Sequence, residues 1–118
     1  TGACLMLAGE LDDVEITTIE GLASRDAAGK PVRHRVQEAL IEVGGTQCGF
    51  CTPGIVMSAV ALLDENPKPS DAEIRHAIAG NICRCTGYEK IVRAISGAAQ
   101  DMAAQGSATQ DRVGEARS

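Results

Sequence analysis

The sequence predicts a mainly α-helical fold in which two similar helical hairpins pack as a pseudo-twofold four-helix bundle. Apolar residues recur at helical spacing in four segments after about residue 32. The two halves of this region repeat one order of features: a helix, a glycine, a close pair of cysteines followed by threonine, and a second helix. Phe50 and Tyr88 are the only aromatic residues, so the core is aliphatic, which suits close helix packing.

Each predicted helix carries local signals at its ends. The first ends at Gly44 and Gly45, and the second has Thr52 as N-cap and Pro53 at its first position. The third begins at the capping-box sequence Ser70 to Glu73, and the fourth follows the second cysteine pair. The predicted core-facing residues are Val36, Leu40 and Val43; Ile55, Ala59, Leu62 and Leu63; Ile74, Ala77 and Ile78; and Ile91, Ile95, Ala98 or Ala99, and Met102.

The segments outside the helices divide the rest of the chain. Residues 14–19 alternate apolar and polar side chains with β-branched residues, which predicts a short half-buried strand. Residues 23–31 are polar and punctuated by glycine and proline, which predicts a linker. The helical domain then spans 32–104, and residues 105–118 are predicted to form a disordered tail.

Charge and hydropathy exclude several kinds of partner. The formal net charge of −5 disfavours nucleic acid and an anionic membrane surface, because both attract clustered Lys and Arg. The longest apolar stretch, residues 55–63, is far shorter than the roughly 20 residues of a membrane span, so no membrane insertion is expected. We expect a cytoplasmic location, or a periplasmic one if a preceding segment or a partner carries an export signal.

Four of the five cysteines fall into two close pairs, Cys48 with Cys51 and Cys83 with Cys85. A 2Fe-2S cluster needs four thiolates, two for each iron, and the two pairs supply them. The twofold relation of the hairpins would bring both cysteine loops to one end of the bundle. Each pair precedes a helix, so the positive ends of two helix dipoles are expected to face an anionic cluster.

The residues alone leave other interpretations open. By count, four thiolates fit a structural zinc site equally well, and disulfides are a third possibility. Cys4 stands alone and on this basis resembles an ordinary buried cysteine. His34 and His76 have no partner at ligand spacing, so we interpret them as surface or capping residues. No nucleophile and base, phosphate loop or catalytic carboxylate pair is visible, so we predict no catalytic residue in this chain.

Four strings of the sequence closely resemble the small 2Fe-2S iron-sulfur subunit of the xanthine oxidase and aldehyde oxidoreductase (molybdenum hydroxylase) family. They are EITTIEGL (15–22), QCGFCTPG (47–54), NICRCTGY (81–88) and KIV (90–92). The resemblance implies that residues 1–22 are the short β remnant of a plant-type ferredoxin (β-grasp) domain and that residues 32–104 form the helical 2Fe-2S domain. It also implies an N-terminally truncated chain, because no Cys-x4-Cys-x2-Cys run precedes Cys4.

The family's site residues carry over by position. Cys48, Cys51, Cys83 and Cys85 match the ligands of the molybdenum-proximal 2Fe-2S cluster. Gln47 and Cys85 match positions that approach the molybdopterin of the partner chain. Cys4 matches the fourth ligand of the second, ferredoxin-type cluster, which this chain cannot complete alone. Arg35 departs from the family, which usually has proline there, so a shift in the start of the first helix is expected.

The resemblance further implies an electron-transfer function and a set of partners. The chain would relay electrons from molybdopterin on a large subunit towards FAD on a medium subunit, or towards a cytochrome or other acceptor. Substrate chemistry would then lie on a partner subunit. Two alternatives remain: a zinc-stapled interaction module without a redox role, and a non-functional gene fragment. The sequence does not specify the substrate, the final acceptor or the subunit stoichiometry.

Overall fold

The computed structural model describes residues 5–105, except for the side chain of Gln105, and this part of the chain is mainly helical. Its two short strands, β1 and β2, pair antiparallel, with Ser24 opposite Val32 and Arg25 opposite Pro31. Short 3₁₀ helices cover Ala8–Leu11 and Ile19–Leu22. The elements are β1 (Ser24–Arg25), β2 (Pro31–Val32), α1 (Arg35–Glu42), α2 (Thr52–Glu65), α3 (Asp71–Ala77) and α4 (Glu89–Gln105).

Side-chain caps fix the starts of α1 and α3. The His34 ring accepts a hydrogen bond from the Val36 N–H at 3.3 Å, and the Gln37 side chain accepts one from the His34 N–H at 2.9 Å. The capping interpretation of His34 is therefore confirmed. Ser70 and Glu73 form the predicted capping box, with 2.7 Å between the Ser70 backbone N and the Glu73 carboxylate. These caps satisfy backbone donors that the helices leave free.

The start of α2 differs by one residue from the prediction. Cys51 occupies the N-cap position, Thr52 is the first helical residue and Pro53 the second. Proline is still acceptable there, because backbone N–H groups in the first turn have no partner within the helix. The shift puts a cysteine at the start of the helix.

The helices bury one continuous aliphatic core. α4 packs against α1 and α3. α2 also packs against α1 and α3, so each helix has two helical neighbours. The predicted core positions are buried except Val43, Leu62, Ala77 and Met102, which are half-buried. Small side chains along α4, including Ala94 and Ala98, let neighbouring helices approach it closely. Further buried residues not included in the prediction are Ala39, Val56, Val92 and Ala94.

Arg35 joins the start of α1 to the end of α4. Its guanidinium donates to Asp101 from Nε at 2.9 Å and to both Glu42 carboxylate oxygens at 2.9 Å. Bidentate geometry of this kind is the stronger form of an arginine ion pair. α1 nevertheless begins at Arg35 itself, directly after the cap at His34, so this departure from the family pattern leaves a regular helix start.

The strand predicted over residues 14–19 is wrong. Residues 14–18 belong to no regular element, a 3₁₀ helix begins at Ile19, and no strand partner occurs among residues 5–105. Val14 and Ile16 are 53% and 62% exposed. A strand needs a neighbour to satisfy its backbone groups. No β element occurs within residues 5–22, so the expected β remnant is not formed there.

Strands form instead in the segment predicted as a linker. The Asp26 carboxylate accepts hydrogen bonds from the N–H groups of Ala28 and Lys30 at 2.9 and 2.8 Å, which folds residues 26–30 into a tight turn. β1 and β2 are the two ends of this hairpin. The predicted disordered tail lies outside the described residues, apart from Gln105 at the end of α4. Among the described helices, none is both long and apolar enough to span a bilayer.

Replacing Ile95 by alanine tests this packing. Ile95 is fully buried at the centre of α4, so Ile95→Ala should lower the free energy of unfolding by about 2–4 kcal/mol through lost burial and a cavity. Ile41→Ala is the matched control, because Ile41 is 61% exposed on α1; its effect should stay within about 0.5 kcal/mol. Urea unfolding of the full chain, followed by circular dichroism, measures both. Equal effects of the two variants would contradict this placement of the core.

Candidate metal centre

The first cysteine loop links α1 to α2. Gly44 has a φ of +62°, which ends α1 in a left-handed turn, and Gly49 has a φ of +82° between the two cysteines. This second turn directs the Phe50 N–H towards the Cys48 sulfur, which lowers the pKa of that thiol. Cys51 follows as the N-cap of α2. The loop therefore presents two sulfurs within four residues.

The second cysteine loop runs from the end of α3 to the start of α4. Gly87 and Tyr88 both have left-handed φ values, +67° and +69°, which turn the chain sharply before α4. The Tyr88 hydroxyl accepts a hydrogen bond from the Cys83 N–H at 2.7 Å and donates one to the Asn81 carbonyl at 3.3 Å. A non-glycine residue rarely adopts this φ, so these bonds compensate for local strain. Tyr88 therefore fixes the backbone at Cys83.

Asn81 brings the second loop against the helix that follows the first. Its side-chain amide donates to the Ser58 hydroxyl on α2 at 2.8 Å. A Cβ added at Gly54 would clash with the Asn81 Oδ1, so only glycine permits this approach. The two loops consequently meet beside the first turns of α2.

The four sulfurs pair across the two loops rather than within each loop. The Sγ atoms of Cys48 and Cys85 are 3.5 Å apart, and the Cys51 thiol lies beside that of Cys83. Two sulfurs held at about 2.3 Å by one tetrahedral metal ion lie roughly 3.8 Å apart. The Cys48 to Cys85 distance is therefore close to what a shared ion requires. Each loop contributes one cysteine to each pair, whereas the sequence had suggested one pair from each loop.

The two pairs lie in different environments. Cys48 and Cys85 are exposed, and we refer to them as the outer pair. Cys51 and Cys83 are half-buried and pack against the aliphatic core, and we refer to them as the inner pair. A group held by all four would have one edge facing solvent or a partner and the other facing the protein interior.

Hydrogen bonds and burial shift the pKa values of the four thiols in different directions. The Thr86 hydroxyl, together with the N–H groups of Thr86 and Cys85, lowers the pKa of Cys83 to about 7. Burial, together with the neighbouring Cys83, raises the pKa of Cys51 to about 11. In the outer pair the Phe50 N–H lowers the pKa of Cys48, while the bond with Cys48 raises that of Cys85. Each pair therefore contains one thiol that ionises more readily and is ready to bind metal.

Loop amides, more than helix ends, surround the sulfurs. Only Cys51 lies at the start of a helix, and Cys85 is four residues before α4. The expectation of two helix dipoles facing the site therefore holds for the first loop alone. In the second loop, the amides of Cys85 and Thr86 take the place of the helix end, because they lower the pKa of Cys83. These N–H groups stabilise negative charge on sulfur in the same way.

The two sulfur pairs supply the ligand set of a dinuclear cluster. Two separate sulfur pairs, one for each of two ions, are what a 2Fe-2S cluster needs. All four cysteines are free thiols and so remain available as ligands.

The other predicted residues lie near the cysteine loops, elsewhere on the helices or outside the described residues. Gln47 is exposed next to Cys48. Cys4 falls outside the described residues. His76 is exposed on α3. Sequence reasoning did not single out Thr86 and Tyr88 as supports of Cys83, although both belong to the string NICRCTGY that carried the resemblance.

Comparison with known proteins agrees with this geometry. Residues 18–96 match the family described as the 2Fe-2S binding domain. The nicotinate dehydrogenase small FeS subunit of Eubacterium barkeri is 51% identical over 92 residues, which are 78% of this chain and 55% of that protein. A probable xanthine dehydrogenase component of Bacillus subtilis is 46% identical over 91 residues, covering 77% and 49%. The chain thus spans about half the length of these relatives.

Solved structures share the fold. Quinoline 2-oxidoreductase from Pseudomonas putida 86 aligns with a TM-score of 0.76 at 39% identity, covering 90% of this chain and 63% of that one. Aldehyde oxidoreductase from Desulfovibrio gigas gives the same TM-score and identity, covering 87% of this chain and 11% of that one. The fold and the cysteine loops thus define a helical iron-sulfur domain.

The chain belongs to the 2Fe-2S binding domain family, among the iron-sulfur subunits and domains of the xanthine oxidase and aldehyde oxidoreductase type. The resemblance drawn from the four sequence strings is confirmed.

Removing the Tyr88 hydroxyl tests its support of the second loop. Tyr88→Phe leaves the half-buried Cys83 N–H without its partner, so the free energy of unfolding should fall by about 1–2 kcal/mol. Iron release to a chelator should also become faster. Thr46→Val is the control, since the Thr46 hydroxyl contacts only Thr52, at 3.5 Å, and its removal should change neither quantity measurably. Unchanged iron release from Tyr88→Phe would contradict this role.

Proposed function

We propose that Cys48, Cys51, Cys83 and Cys85 hold one 2Fe-2S cluster through which the chain relays electrons from a molybdopterin centre on a large partner subunit. The observation that carries this is the pairing of sulfurs across the two loops, with the Cys48 and Cys85 sulfurs at a distance suited to one shared metal ion. When bound, such a cluster accepts and releases one electron at a time. The loops position the four ligands, and their N–H groups stabilise the negative charge.

The exposed edge of the site is the proposed face for the partner. Phe50 lies between Cys48 and Cys51, Ile82 directly precedes Cys83, and their side chains are 95% and 84% exposed. Large apolar side chains in such positions are characteristic of protein interfaces. Gln47 and Cys85 lie at this edge, and we propose that they approach the molybdopterin of the partner.

The remaining steps of the proposed electron relay are inferred from the family to which the chain belongs. Electrons would continue through a second 2Fe-2S cluster, for which Cys4 is the proposed fourth ligand, to FAD on a medium subunit or to a cytochrome. The relatives are named for nicotinate, xanthine, quinoline and aldehyde. We therefore propose that the partner subunit oxidises an N-heteroaromatic compound or an aldehyde. The cytoplasmic location stays a prediction.

The proposed relation between the two hairpins is a pseudo-twofold four-helix bundle. The ring of contacts in which each helix touches two others supports it. The repeated order of helix, cysteine pair and helix supports it as well. This symmetry would explain why each sulfur pair takes one cysteine from each loop.

Metal content and spectra of the anaerobically purified full chain test the cluster. We expect about two irons and two sulfides per chain, visible absorption that bleaches with dithionite, and an EPR signal from the reduced state. Cys83→Ala should abolish these signals, whereas Cys4→Ser, outside the four ligands, should leave them intact. Zinc without iron or sulfide would replace the relay with a structural zinc module. Full signals in Cys83→Ala would refute the assignment of ligands.

Charge placed at the exposed edge tests the partner face. Phe50→Asp should weaken assembly with the molybdopterin-binding subunit about tenfold or more, because a carboxylate replaces an apolar anchor. Gln47→Ala should slow electron transfer within the assembled complex. Val32→Asp is the control for charge, since Val32 is 40% exposed just before α1, at the end of the helices opposite the loops. Affinity measured by titration should be unchanged for Val32→Asp; equal loss in both aspartate variants would contradict the proposed face.

A further inference from the structure

The Thr86 hydroxyl lies directly against one sulfur of the inner pair. Its Oγ1 is 3.0 Å from the Cys83 Sγ. The same oxygen accepts a hydrogen bond from the Tyr88 N–H at 3.2 Å. Thr86 therefore contacts both the sulfur and the turn that leads into α4.

The geometry determines which of the two groups donates. A cysteine bound to metal is a thiolate and carries no proton, so it can only accept a hydrogen bond. The Thr86 oxygen already accepts a hydrogen bond from Tyr88, which leaves its own hydrogen free to point at the Cys83 sulfur. The contact is consequently an O–H···S hydrogen bond to a ligand.

The surrounding loop holds the hydroxyl in place. Gly87 and Tyr88 in left-handed conformations turn the Tyr88 N–H back towards Thr86. The Tyr88 hydroxyl fixes the Cys83 N–H from the other side at 2.7 Å. Donor and acceptor are thus both fixed by the same tyrosine, so the hydrogen bond does not depend on a freely rotating side chain.

The first loop has a threonine in the corresponding place but no such contact. Thr52 follows Cys51 as Thr86 follows Cys85, yet its hydroxyl donates to the Thr46 hydroxyl at 3.5 Å. Of the two threonines, only Thr86 makes a hydrogen bond with a cysteine sulfur. The two cysteine loops therefore differ in this contact, although their sequences are similar.

We propose that Thr86 is a positioning residue that raises the reduction potential of the cluster through its hydrogen bond to Cys83. This inference rests on the proposed cluster. One-electron reduction adds one negative charge to the site without breaking or forming a covalent bond, and a hydroxyl donor at a ligand sulfur stabilises that added charge. Thr86 thereby favours acceptance of an electron from the donor centre.

Three variants of the full chain separate this role from a purely structural one. Thr86→Val removes the hydroxyl and keeps the shape, Thr86→Ser keeps the hydroxyl, and Thr52→Val removes the matched hydroxyl of the first loop. Iron and sulfide are assayed first. The midpoint potential is then measured by a dithionite titration with redox mediators, followed by EPR.

We expect all three variants to hold the cluster and only Thr86→Val to change its potential. The reduction equilibrium of Thr86→Val should become less favourable by about tenfold, a shift of about 59 mV to more negative potential for one electron. Thr86→Ser and Thr52→Val should keep the potential of the unmodified chain.

Other outcomes overturn the inference in distinguishable ways. A full cluster with unchanged potential in Thr86→Val shows that the hydroxyl does not tune the site. If Thr86→Val lacks iron while Thr86→Ser retains it, the hydroxyl serves cluster assembly instead, and the tuning role is wrong. If the unmodified chain itself binds no iron and sulfide, the proposed function fails and this inference fails with it.

Discussion

The close approach of the two cysteine loops is the constraint on which the rest of the structure depends. The two cysteines of each pair lie about 35 residues apart in the chain, so no local structure can bring them together. The helices do this by delivering both loops to one end, where Asn81 of the second loop bonds to Ser58 on α2. Gly54 leaves the space for that contact. The cluster site is therefore a tertiary feature, built by helix packing.

A bound cluster would in turn stabilise the helical fold. The core is aliphatic, and its helices are short, from 7 residues in α3 to 17 in α4, so packing alone stabilises the domain modestly. Joining the two loops through a shared cluster would add about 3–4 kcal/mol if it acts like closing a loop of similar length. The inner pair packs directly against the core, so the added crosslink and the apolar core support one another.

Features encoded by local pattern could be predicted from sequence, and those created by tertiary contacts could not. Helical periodicity and the box at Ser70 and Glu73 depend on neighbouring residues, and they were confirmed. The partner of each sulfur depends on how the loops face one another, which spacing along the chain does not specify. Gly87 signals a left-handed turn, but nothing about Tyr88 alone indicates that it adopts one too. The strand expected at residues 14–19 failed because alternation predicts a strand only where a partner is available.

The two sulfur pairs make the two edges of the site different, because one pair faces the apolar core and the other is exposed. The inner pair faces an apolar interior, where added negative charge is costly, and the hydrogen bonds to Cys83 offset that cost. The outer pair is exposed, and the same two loops carry Phe50 and Ile82, two exposed apolar side chains that a partner surface would cover. Covering them would also remove water from Cys48 and Cys85, since all four residues lie on the same two loops. The interaction of the Phe50 N–H with the Cys48 sulfur would then become stronger, because less water competes with it. Assembly with a partner would therefore change the electrostatics of the site itself, as well as bring the donor close.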